Sequence, residues 1–428
     1  SLFDFPAERY LWARQSVQRF TVTQLGKYLP FHCRYVVHSY NFFLFPSMLG
    51  LKDVEFTFSA SSIQFLSHYD FDYNKFLKDG IPYMNEAQEK ILSEHLLAGS
   101  LEFSSFLDRS VLRKAIDEVT SWIVAAKEEE TMILHDLSGC QMFEVQLVLR
   151  KALQNVWTQP LGDNKVMVKK VSPQHRRHLD NSPDDCCRKE HILLSARGFT
   201  NLFQMLVKAS KPLVGHNMLM DLMHLHDKFY KPLPESYEEF KRNIHSLFPV
   251  LIDTKIVTKS IWKKWQFPRV SSLLEVYEAL CSSKLKTKSP TYPVITLASD
   301  CSRYAEKKCL HEAGYDAFLC GSVLLKSAHL LLCRSTDGAV EADPSFSLYL
   351  TMLAEYLNRV NFIRGGVSSI NFSGEDVPRK LPPALVVRVR GCPGMNERQI
   401  YELFKPLCCF DVRQLSRNQF ILLSDRFK

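Results

Sequence analysis

The chain holds 428 residues, 46% hydrophobic and 23% charged, with a formal net charge of +8. That length exceeds one ordinary core and points to two or three domains, while the composition excludes disordered, collagenous and disulfide-stapled classes. The basic excess permits a polyanionic partner without requiring one, since much of it is solvated surface.

In chain order, residues 7–18 read as a helix with a proline near its start. FTVTQLGKYL and RYVVHSYNFFLF follow as strands, and VEFTFSASS is a third short strand candidate running into a helix near Ile63 to Ser67. An amphipathic helix is expected from Glu86 to about Leu97. Residues 108–177 separate as a small α/β insert, with helices LRKAIDEVTSWIVAAKEE and FEVQLVLRKALQNVW and a strand KVMVKKV. The polar stretch SPQHRRHLDNSPDDCCRKEH reads as a mobile loop.

Beyond it short apolar strands alternate with helices: ARGFTNLFQMLVKAS (helix), PLVGHN (strand), Met218 to Tyr230 (helix), ESYEEFKRNIHSLF (helix), VLIDTK (strand), then helices near Ser272–Cys281, Glu312–Cys333 and Ser347–Ile363. This pattern favours one mixed sheet covered by helices. After RKLPPA the chain ends in β-α-β-β order, the opening of a ferredoxin-like or RRM-like domain. The predicted divisions are 1–107 and 178–366 for the main α/β domain, 108–177 for the insert and 380–428 for the terminal segment.

The 12 cysteines include no CxxC pair, and several, such as Cys320 and Cys333, lie inside apolar helical patterns, which fits a reducing intracellular compartment. The longest apolar run, AFLCGSVLLKSAHLLLC, is broken by Lys326 and His329 and reads as a core helix rather than a membrane span. The opening residues show no signal peptide and read like a domain interior.

LVGHNMLMDLMHLH carries one carboxylate, Asp221, in an apolar run. A buried carboxylate protonates or finds a partner. Asp221 falls one turn after a strand and so faces the strand's carboxyl edge, where open α/β sheets hold ligands. In HEAGYDAF, Asp316 again occupies the first turns of a long apolar helix, and His311 precedes it by five residues. Five residues is roughly 140° around a helix, so His311 converges with Asp316 only from the preceding loop, a placement that suits a general base. Two aspartates at one crevice suggest a hard cation, Mg²⁺, with a pair of ions clamping the attacking and leaving oxygens of a phosphodiester. Taken singly, an Asp in a first turn is more often a cap or dipole partner and a His before a helix is more often a loop residue. The joint strand-helix placement favours the site.

GHNMLMDLMH, FPVLIDTK and HEAGYDAF, with LFDFPAERY, NFFLFPS, SSIQFL, GIPYMNEAQE and KPLPESYEEFK in order, resemble the poly(A)-specific ribonuclease group of DEDDh 3′→5′ exoribonucleases over nearly the whole chain. LLSARGF, HSLFPVLIDTK and YDAFLCGSVLLK are most similar to its PARN-like domain-containing branch, the pre-piRNA trimmers of animal germ cells. The resemblance implies a ribonuclease H-like fold, two Mg²⁺ ions (or Mn²⁺), and hydrolysis from the 3′ end of single-stranded RNA, not DNA, to nucleoside 5′-monophosphates. It implies Asp221 and Asp316 as metal ligands, His311 as the base, and His216, Asn217 and Lys255 as substrate-binding residues. It also implies dimer contacts through the terminal domain, a membrane-bound helper protein, and a C-terminal anchor facing the cytoplasm on the endoplasmic reticulum or outer mitochondrial membrane. The insert occupies the place of the family's single-strand-binding module, but its Arg-x-x-x-His signature is not evident.

The family's first motif, Asp-x-Glu, is expected ahead of LFDFPAERY and would lie before Ser1. The readings are a shortened chain or splice form, a late-starting numbering, or an inactive protein. The favoured one is an active parent whose chain as given binds metal weakly. Asp53-Val-Glu55 looks like that motif, but its place before the SSIQFL helix argues against it. His175, His178, Cys186, Cys187 and His191 suggest zinc, yet their spacing fits no common pattern. In the terminal segment Phe420 is the one stacking candidate. The rival functions are a poly(A) deadenylase and a catalytically silent RNA-binding scaffold.

Overall fold

A computed structural model describes residues 3–31, 35–47, 54–98, 106–137, 141–161, 164–182, 189–265, 272–282, 293–336, 344–363, 365–378, 384–391 and 394–424. The first half of the main domain comprises α1 (Pro6–Arg19), β1 (Gln24–Phe31), β2 (Tyr35–Pro46), α2 (Ala60–His68), α3 (Tyr73–Asp79), β3 (Ile81–Tyr83) and α4 (Glu86–Ala98). The Tyr-, Val- and Phe-rich β2 is the organising strand. It pairs antiparallel with β1 and parallel with β3. The segment expected as a third strand, VEFTFS, forms only a single bridge, Thr57 to Phe20. Its alternating Phe56 and Phe58 instead pack edge-on against Phe76, a gain in ring contact that needs no ladder. Glu55 is exposed there, and Asp53 lies outside the described residues.

Next come α5 (Phe106–Ala125), β4 (Thr131–Leu134), α6 (Gln141–Ala152), β5 (Val156–Pro160), β6 (Val166–Lys170), α7 (Pro173–Asp180), α8 (Lys189–Arg197) and α9 (Phe199–Ala209). The three strands form an antiparallel sheet in the order β4-β6-β5. They close over α5 and α6 around Val119, Leu149, Val156, Val166 and Val168, all fully buried. Val156 and Trp157, expected in a helix, are strand residues. Their branched and aromatic side chains suit the pleat, and β6 supplies the ladder. The described part of the stretch expected as a polar loop is largely helical. Ser172 caps His175 N–H and Pro173 opens α7, both strong helix-start signals that outweigh polar composition. Of the five zinc candidates, His175 and His178 sit on α7 and His191 on α8, while Cys186 and Cys187 lie outside the described residues. His175 pairs with Glu129 at 3.0 Å.

The second half runs through β7 (Leu213–Gly215), α10 (Leu219–Leu225), α11 (Tyr237–Leu247), β8 (Leu251–Asp253), α12 (Thr254–Trp265), α13 (Leu273–Cys281), β9 (Ile295–Leu297), α14 (Arg303–Glu306), α15 (Ala313–Ser335), α16 (Phe346–Met352), β10 (Arg359–Asn361) and β11 (Ser369–Asn371). β9 joins β2, whereas β7 and β8 pair parallel with each other. The described strands of the main domain therefore divide between separate sheets rather than forming one. α12 went unread because it follows β8 directly, Asp253 to Thr254, and so left no loop signal. The helix expected to reach Ile363 stops at Met352. Asn358 adopts φ 58° and donates its N–H to Leu251 O at 2.8 Å, and Asn tolerates that left-handed turn into β10 better than most residues.

α15 is the one described helix long and apolar enough to cross a membrane, but most of it is buried in the fold. It packs against β1, β2, β7, α12 and α13, as a core helix does. The seven described cysteines are free thiols. The terminal segment is β12 (Ala384–Arg388), α17 (Glu397–Phe404), β13 (Asp411–Ser416) and β14 (Gln419–Leu423). Its sheet order β12-β14-β13 places the last strand between the first two. Phe420 is fully buried beneath α17 with Ile400 and Phe410, so it is a core residue and not a stacking platform.

Candidate active site

The turn between β7 and α10 carries Asp221 in the helix's first turn. Asn217 makes that turn with φ 62°. The turn is held from below by Asp253, the last residue of β8, which is wholly buried. Its carboxylate accepts the backbone N–H of Asn217 (2.8 Å), Met218 (3.3 Å), Lys255 (2.9 Å) and Asn361 (2.9 Å). Burial pushes Asp253 upward while these donors pull the other way. Asn217 Oδ1 accepts from Asn361 Nδ2 at 2.6 Å, and Lys259 donates to Asn361 Oδ1 at 2.7 Å. Asp253 was missed in the sequence. It offered the same signal as Asp221, a carboxylate inside an apolar run.

A second tie crosses to α15. Thr254 Oγ1 donates to Gly215 O at 3.0 Å and lies 2.9 Å from His216 Nδ1 and 3.7 Å from Cys320 Sγ. Having given its proton to Gly215, Thr254 must accept from His216, which fixes the imidazole as the Nδ1–H tautomer. Its Nε2 is buried with no partner among the described residues. Burial, then the charges of Lys255 and Lys259, drives the His216 pKa down to about 4, so the ring stays neutral. Lys255 is half-buried, and burial lowers its pKa against the pull of Asp253.

Asp316 stands one turn before Cys320 on the same face of α15. The Cys320 thiol is pushed up to about 12, first by burial and then by the negative charges of Asp253, Asp221 and Asp316. All three carboxylates are thus within electrostatic reach of one sulfur. Asp221 is accessible to solvent, yet desolvation raises its pKa, with Asp253 adding to the effect. Among the described residues no cation pairs with Asp221. Burial raises Asp316 to about 6, although its carboxylate accepts the backbone N–H of His311.

α15 begins as expected, with Glu312 at its N-cap and His311 in the preceding loop. The free N–H groups of its first turn are met by strand residues. Gln24 Oε1 accepts from Ala313 N (3.0 Å), and Asn41 Oδ1 accepts from Gly314 N (2.5 Å). Glu312 is locked by Tyr304 (2.6 Å), Arg303 and Asn41. Gly26 permits the approach, since a Cβ there would lie 1.9 Å from Ala313 O. His311 is exposed, holds φ 61°, and has its pKa lowered by partial burial.

A family model described as CAF1 family ribonuclease matches residues 1–324. The mouse poly(A)-specific ribonuclease PNLDC1 is 57% identical over 435 residues, covering all of this chain and 82% of the relative. The Bombyx mori pre-piRNA 3′-exonuclease trimmer is 30% identical over 400 residues, covering 91% of this chain and 74% of the relative. The bovine poly(A)-specific ribonuclease PARN is 29% identical over 413 residues, covering 88% and 62%. With the family model matched over residues 1–324 and these likenesses over most of its length, the chain belongs to the CAF1 family of ribonucleases.

Proposed function

We propose that this protein is a divalent-metal-dependent 3′→5′ exoribonuclease that trims single-stranded RNA, with piRNA precursors as its substrate class. What carries this reading is the family match over residues 1–324, with the negative charges of Asp221 and Asp316, from separate elements, both acting on the buried Cys320 thiol in support. The trimmer relative supports the choice of substrate.

Asp221 and Asp316 would hold Mg²⁺, or Mn²⁺. The fit is chemical: both are hard oxygen donors whose charge is disfavoured in the protein alone, and a cation relieves that. Among the described residues no group of three or more His, Cys, Asp and Glu side chains is close enough to hold an ion by itself, so a cation on Asp221 and Asp316 would need water and substrate phosphate to complete its shell. Bound divalent ions would stabilise the attacking and leaving oxygens. His311, neutral at about pH 7 because burial lowers its pKa, accepts the proton of the attacking water. The water oxygen bonds to phosphorus, the bond from phosphorus to the penultimate O3′ breaks, and a nucleoside 5′-monophosphate leaves. Lys255 would offset phosphate charge, and His216 and Asn217, in the turn that leads into α10, would help to shape the substrate's binding surface.

Trimming of a labelled RNA by the full-length protein tests the reading. Asp221→Ala and His311→Ala should each slow the reaction by about a hundredfold or more, and chelation should abolish it. Undiminished trimming by both variants would remove the site. The names of two relatives favour a second reading, poly(A)-specific degradation. Oligo(A) degraded far faster than mixed-sequence RNA would select it.

A further inference from the structure

His311 belongs to a loop, is exposed, and must nevertheless present one ring nitrogen to a water. Bases of this kind are commonly oriented by a hydrogen bond to the second ring nitrogen. Among the described residues no hydrogen bond reaches either nitrogen of His311, and its contacts are aromatic. The Phe65 ring lies 4.7 Å and the Tyr69 ring 4.3 Å from the imidazole, at 64° and 63°.

These two rings, Phe65 on α2 and Tyr69 at its C-cap, lie 4.9 Å apart, so one end of one helix grips the imidazole. The grip is itself fixed. Ser59 caps the start of α2, the Tyr69 N–H bonds Leu66 O, and Asp70 ends the helix at φ 56°. Tyr73 OH donates to Ile63 O at 2.9 Å. Meanwhile the His311 backbone is held by Asp316. Backbone and ring are thus constrained by different elements. Phe65 is still 46% exposed, more than packing alone would leave a ring in a satellite core.

We propose that Phe65 and Tyr69 are positioning residues for His311: edge contacts from α2 set the imidazole's orientation and leave both ring nitrogens available to water and substrate. The proposal rests on the reading of His311 as the base. It assigns to α2, which contributes no ligand and no proton, control over the rate of the chemical step.

The test uses the full-length protein with Tyr69→Ala, Tyr69→Leu and Tyr69→Phe, alongside His311→Ala. A catalytic group displaced by about 1 Å loses roughly a hundredfold in rate, so Tyr69→Ala and Tyr69→Leu should lower kcat by about 10- to 100-fold with KM within about twofold, while Tyr69→Phe stays near wild type. In protein carrying ¹³C-labelled histidine, the His311 ring signal should shift when the Tyr69 ring current is removed. It should stay in place in Tyr69→Phe. Tyr69→Leu keeps bulk at the helix end, so a folded Leu variant with wild-type kcat overturns the proposal even where the Ala variant unfolds. A raised KM with unchanged kcat overturns it in favour of a ring that stacks on RNA. A loss in Tyr69→Phe as large as in Tyr69→Ala overturns it in favour of the hydroxyl. If His311→Ala itself trims normally, the underlying site reading fails, an outcome distinct from all of these.

Discussion

At the scale of single residues, the site is a place where charge is disfavoured until something neutralises it. Asp316 titrates near 6 in the fold against an ordinary value of 3.8. Between those values the folded protein keeps a proton that the unfolded chain has released. Its stabilising contribution is therefore present below about pH 4 and lost as the pH rises to about 6. In metal-free protein, the melting temperature of Asp316→Asn should exceed that of wild type by a margin that widens across this window and is flat above it. Mg²⁺ at about pH 7 should narrow the margin, and scanning calorimetry would detect either behaviour. Burial raises the pKa of Asp253 too, but its carboxylate also accepts four backbone donors. Asp253→Ala leaves buried N–H groups unmet at roughly 1–3 kcal/mol each. Urea titration should show a loss of several kcal/mol, and Asp253→Asn, which keeps one acceptor oxygen, should fall between.

At the scale of elements, strand side chains complete a helix. α15 starts without a side-chain cap of its own, and Gln24 and Asn41 take that part from β1 and β2. Gly26→Val should separate β1 from the helix start, lowering both stability and trimming, with KM for RNA changed less than kcat. A trimming rate within about twofold of wild type would count against a rigid β1–α15 contact as a condition of activity. α13 is the simpler case. Ser272 and Glu275 form a reciprocal capping box, and Ser272→Ala should cost about 1 kcal/mol without touching the chemistry. The capping chemistry of α13 was readable directly as Ser-x-x-Glu. The cap of α15 was not readable, because its acceptors lie 289 and 273 residues away in sequence.

At the scale of the molecule, the insert sheet, α5 and α6 enclose their own apolar cluster, whereas the residues of the proposed site come from α10, α15 and the loop before α15. Leu149, fully buried in that cluster, is a point of leverage. Leu149→Ala should cost roughly 2–5 kcal/mol and act locally. Hydrogen exchange should quicken across residues 131–170 and stay slow in β7 and β8. Uniform acceleration over both regions would mean that insert and main domain open together.

The sequence by itself determined the helices with strong periodicity and caps and the β-α-β-β order of the ending, and it put forward Asp221, Asp316 and His311 as candidates, because each of these is written in local spacing. Tertiary structure alone decided what long-range pairing controls. It turned Val156 and Trp157 into a strand, and it divided the main-domain strands between sheets. It made Asp253 the anchor of the β7–α10 turn and set Phe65 and Tyr69 against a histidine 246 and 242 residues further along. The physical reason is common to all four. A residue's type limits the bonds it can form, but its partner is chosen by packing between segments that no local pattern connects.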